Sequence, residues 1–251
     1  MILRHSGINN ITGKFLIEFP FFYLMKNKFL IVSFLGFGIT FYSSQNLNFS
    51  NMDLEELRQV ISAKRDKVQY TDVEGSPFFD DHFKDAKIKG IEGVWPVRYD
   101  AYRDEIEILK EKESFALTKS QSFNSIKYND GSAELRLVNY SYKGDEIEGY
   151  LYEIGKDASF TLFKKKSIIF KQAKEVHTTL EIQMPHRFIQ EKPVYFIEYD
   201  AKFIELDQKL KTFSKSGTFN QEEVIKCKKE TAFTIEKENT ILAFAKCITT
   251  K

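Results

Sequence analysis

The chain has 251 residues, 37 basic against 36 acidic, and a formal net charge of +1. That balance excludes the basic footprint of a nucleic-acid binder, and the length suffices for a sizeable core. With 24 Phe and 12 Tyr but one Trp, the aromatic content suits pleated, half-buried surfaces.

Met25 is followed by Lys26-Asn27-Lys28, the apolar run Phe29–Phe41, and Tyr42-Ser43-Ser44-Gln45. A basic start, an apolar middle and a small polar end form an export signal. The apolar middle is shorter than the roughly 20 residues that a membrane span needs. Residues 25–44 are therefore expected to be a signal peptide cleaved near Ser44, with residues 1–24 an upstream mis-start extension. The rival reading merges Phe15–Met25 with the later run into one anchor, but Lys26 and Lys28 interrupt it at about 3 kcal/mol each near a helix centre. Without residues 1–44 the basic count falls from 37 to 33 and the acidic from 36 to 35, leaving a mature net charge of −2. The expected product is soluble and lies in the periplasm or outside the cell.

Asp53–Lys67 reads as a helix: Leu54, Leu57, Val60 and Ile61 make an apolar stripe, and Asp53 with Glu56 resembles a capping box. From Lys87 the period becomes two. Strands are predicted over Ala86–Ile91, Val97–Ala101, Glu105–Leu109, Ser114–Lys119, Ser122–Tyr128, Ala133–Tyr142, Ile147–Ile154, Ser159–Lys164 and Ser167–Lys171. Asn129-Asp130-Gly131 and Lys143-Gly144-Asp145 are turn signals. Lys164-Lys165-Lys166 falls at an expected solvated hairpin turn. After Trp95-Pro96 opens its strand, Val97, Tyr99 and Ala101 take one face, and Tyr99 is expected to be buried. Arg98 and Asp100 take the other face and are expected in solvent. A less regular connection follows Thr178, with Pro185 and Pro193, then strands Val194–Tyr199 and Lys202–Leu206. Short helices close the chain: Asp207–Phe213, Gln221–Lys229 capped by Asn220, and Glu236–Cys247.

The fold class is thus mainly β with accessory helices (α+β), an antiparallel meander expected to curl into a curved sheet, a half-barrel or a barrel. Residues 45–172 hold the N-terminal helix and strand region. Residues 173–251 add two strands and the helices, and both belong to one globular unit.

The stretches Gly75-Ser76-Pro77-Phe78 with Phe83, Arg98-Tyr99-Asp100-Ala101-Tyr102, Asp104-Glu105-Ile106-Glu107 and Leu206–Phe244 resemble a family of uncharacterised exported proteins of flavobacterium-type bacteria. Its members more usually carry Tyr where Phe78 stands and Asn where Asp100 stands. The resemblance implies an exported compartment and this architecture, and no activity.

Chemistry-bearing patterns are sparse. There is no Gly-x-Ser-x-Gly elbow, and neither Cys has a His nearby in sequence. Asp80-Asp81-His82 is the best local group and reads as a solvated loop, and neither it nor His177 and His186 has the His-x-x-x-His spacing of a helical metal site. Glu105 and Glu107 share a strand face, which alternation with Ile106 and Ile108 explains. Gly90-Ile91-Glu92-Gly93 has the wrong spacing for a phosphate loop. Catalytic residues, metal ligands and cofactors are therefore not expected. Cys227 and Cys247 can close a disulfide in an exported protein or stand as two buried thiols. Tyr140 with Tyr142, and Tyr150 with Tyr152, can form a binding patch or a cross-strand packing layer. The expected function is non-enzymatic binding of a protein or envelope component. The alternatives are a carrier holding an apolar ligand in a curved sheet and an enzyme of unrecognised type.

Overall fold

The computed structural model describes residues 60–65, 73–173 and 184–250. The expected upstream extension 1–24, signal peptide 25–44, start of the first helix at Asp53, and His177 lie outside the described residues.

Alternating apolar residues and tight turns produce an eleven-stranded antiparallel sheet. Its strands are β1 (Ile61–Arg65), β3 (Lys84–Ile88), β4 (Trp95–Asp100), β5 (Glu105–Lys110), β6 (Glu113–Leu117), β7 (Ser125–Tyr128), β8 (Glu134–Tyr142), β9 (Asp145–Lys156), β10 (Phe160–Lys165), β13 (Val194–Tyr199) and β14 (Lys202–Leu206). The order is β1-β6-β5-β4-β3-β7-β8-β9-β10-β13-β14. It ends at β1 and β14, so the sheet is open and not closed into a barrel. Strands β2 (Val73–Glu74), β11 (Ile168–Lys171) and β12 (His186–Gln190) make a second, smaller sheet, in which β12 runs antiparallel to β11 and parallel to β2. Helices α1 (Lys211–Lys215), α2 (Gln221–Glu230) and α3 (Glu238–Thr249) follow. Asn220 caps α2, its side chain accepting from the Glu222 N–H.

Three of the expected elements differ in the structure. Ile61–Arg65 is a strand paired to β6, not the end of a helix, because Ile61, Ala63 and Arg65 alternate just as well as they fit a helical stripe. Lys164–Lys166 is not a hairpin turn. Lys164 and Lys165 end β10 in the large sheet, and Lys166 with Ser167 crosses to β11 in the small one, the three lysines lying part-buried over aromatic rings. The connection after Thr178 includes a strand, β12, which anchors Phe188 in the core.

Register divides the two faces of the large sheet. Val97 lies opposite Ile108 and Tyr99 opposite Ile106, all in a core completed by Leu135, Leu137 and Tyr150 and by Ile168 and Phe188 of the small sheet. On β10, β13 and β14, Leu162, Ile197 and Ile204 pack under the helices against Phe213, Cys227, Phe244 and Ile248. A third cluster, Val138, Tyr140, Leu151, Phe163 and Phe196, is joined by Phe203 of β14. At about 25 cal/mol per Å² of apolar surface, burying residues of this size supplies the main driving force. A disulfide joins Cys227 of α2 to Cys247 of α3, with Cα atoms 5.8 Å apart.

Candidate functional site

On strand β4, Arg98 and Asp100 point away from the Val97–Tyr99 core. Their cross-strand partners are Glu107 and Glu105. Leu109 lies opposite Ser114, and Arg65 opposite the same serine from β1, so one face of β1-β6-β5-β4 carries a row of charged and polar residues. Open solvent is the simple destination for such a face. Instead the segment Gly75–Phe83 folds over its edge and makes a bridge between Phe78 and Asp100.

The result is a cleft of about 800 Å³ between this segment and the sheet. Arg98 is its keystone. Its guanidinium carbon lies 3.8 Å from the centre of the Phe78 ring and 4.5 Å from that of Phe83. In its plane, Nε and Nη2 donate to Glu107 Oε2 at 2.9 and 2.6 Å, and Nη1 donates to the Asp81 carbonyl at 3.1 Å. Glu107 is only 3% exposed and also accepts from the Ser114 hydroxyl at 3.0 Å. A flat guanidinium between two rings, with its edge on a carboxylate, uses geometry that lysine lacks.

Asp100 is fully buried, which corrects the expectation of solvent exposure for it. The Phe78 bridge seals its face. Its oxygens accept from the Tyr102 N–H at 3.0 Å, the Arg103 N–H at 2.9 Å and Arg103 Nη1 at 3.0 Å, fixing the turn after β4. Arg98 is likewise only 21% exposed. The expected burial of Tyr99 holds, at 7% exposure. Arg65 pairs with Glu105, and Lys64 with Glu113 at 2.7 Å on the rim. Ser76 donates its hydroxyl to Asp81 and accepts from the Phe78 N–H at 3.1 Å. The cleft floor is thus a set of charge pairs flanked by Pro77, Phe78 and Leu109.

The four tyrosines are split between two packing clusters. Tyr150 and Tyr152 lie opposite Leu137 and Leu135, in the main core. Tyr140 and Tyr142 lie on the other face with Phe196, at ring-centre distances of 5.0 and 5.9 Å. Lys165 sits over Tyr140 and Tyr142, and burial pushes its ammonium pKa down. Near them Asp104 accepts from the Tyr99 hydroxyl at 2.7 Å, Lys119 at 2.8 Å and the Tyr150 N–H at 3.1 Å. Gly149 makes room for this carboxylate: a Cβ there would stand 2.7 Å from Asp104 Oδ2.

Among the histidines, His82 is exposed and its ring faces Asp80 at 3.1 Å, while His186 stacks on Phe170. Asp80 takes the His82 N–H and the Lys84 ammonium, which hold its carboxyl down to about 2. Asp130 accepts from the Ser132 hydroxyl and N–H and from Lys84, and also falls to about 2. Cys227, Glu230 and Cys247 place ligand-type atoms within 4.8 Å, but the disulfide occupies both sulfurs. The sequence reading missed the cleft because the covering segment is brought to the sheet by tertiary contact. The signal was present in Arg98-x-Asp100 facing Glu105-x-Glu107 across one turn. No protein family, curated protein or solved structure was found to match the chain.

Proposed function

We propose that the chain is an exported, non-enzymatic binding protein of the cell envelope, and that the Arg98–Glu107 cleft is where it holds its partner. The observation that carries this reading is how the cleft is built. Its arginines are committed to carboxylates before any ligand arrives, Arg98 and Arg103 to the buried Glu107 and Asp100 and Arg65 to the part-exposed Glu105, so the shape is rigid and little ordering is needed on binding. Its size falls in the roughly 300–1,000 Å³ range of ligand sites. Its mixture of Leu109, Phe78 and Pro77 with paired charges suits a segment of another protein, whose side chains and backbone are both apolar and polar.

Export is supported by the Lys-Asn-Lys start and apolar run from Met25, and by the Cys227–Cys247 disulfide, a bond that reducing cytosol disfavours. The alternative of an apolar ligand carried in a curved sheet has less support: Phe163, Phe196, Tyr140 and Leu151 fill the space between β8 and β14.

The test is retention of envelope protein by the immobilised chain and by a Leu109→Trp variant that fills the cleft. A partner held by the first and lost by the second is expected. Equal retention by both would place binding elsewhere. N-terminal sequencing of the native protein tests export, and a mature start near Gln45 is expected.

A further inference from the structure

We draw no further inference here: the strongest candidate, the groove of about 350 Å³ that Asn139 and Ser141 of β8 and Phe203 of β14 line, carries nothing because nothing in the structure shows what covers it.

Discussion

Arg98 shows how far a side chain's importance can exceed what its place in a strand pattern suggests. Alternation puts it on the polar face, where charge changes usually cost within about 0.5 kcal/mol. In the fold, its loss leaves Glu107 charged and nearly enclosed, at 3% exposure. Breaking one side of such a pair costs about 3–5 kcal/mol. Truncating Tyr99 in the core falls in a similar range of about 3–5 kcal/mol. Arg98→Ala and Tyr99→Ala are therefore both expected to destabilise severely in denaturant titrations. Lys112→Ala on the exposed rim is expected to change little. A mild Arg98→Ala would show that the guanidinium is not a keystone. Asp80 and Asp130 give the pH test at this scale. Their folded pKa values are lowered from 3.8 to about 2, so their contribution is present above the unfolded value and lost as pH falls from about 4 through 2. Carboxyl NMR titrations should show both midpoints near 2, and midpoints near 3.8 would remove from the account the hydrogen bonds of His82 and Ser132 and the Lys84 pairs.

Among the elements, the two strands over Val194–Tyr199 and Lys202–Leu206 were legible to the residue, because short aromatic and β-branched runs are bounded by Pro193 and the Asp200-Ala201 turn. Much of the antiparallel run from β3 to β10 was legible from alternation, as in β3 and β8, and from the turns between strands. Strand β1 was not, since Val60–Arg65 carries two periods at once and only pairing with β6, about 50 residues away, selects one. Strand β12 was hidden between Pro185 and Pro193, with Phe188 its only buried residue. The burial of Asp100 was hidden as well, because a covering segment leaves no mark in a strand's own alternation. The disulfide links α2 to α3 across a separation of 20 residues. In the chain-entropy picture such a loop contributes about 3 kcal/mol. Reduction with a phosphine should lower the melting temperature by roughly 6–12 °C at this chain size. An unchanged melt, with reduction verified by thiol labelling, would show that the helices need no staple.

The large sheet carries the whole molecule. Strands β8 and β9 sit inside it and contribute to packing on both faces, through Leu135 and Leu137 on one side and Val138 and Tyr140 on the other. The helices cover one end and are too short to persist alone. Hydrogen exchange is therefore expected to be slowest within Ala133–Ile154, and slowest exchange in Gln221–Cys247 would invert this ordering. The same rigidity underlies the functional proposal, since a sheet face braced by paired charges can present a fixed cleft. In the cell that makes the protein, a photo-crosslinking residue placed at Leu109, in the cleft, and separately at Ile225, exposed on α2, tests it most directly. The account predicts a discrete adduct from position 109 and none from 225. No adduct from 109, or the same adduct from both positions, would contradict it.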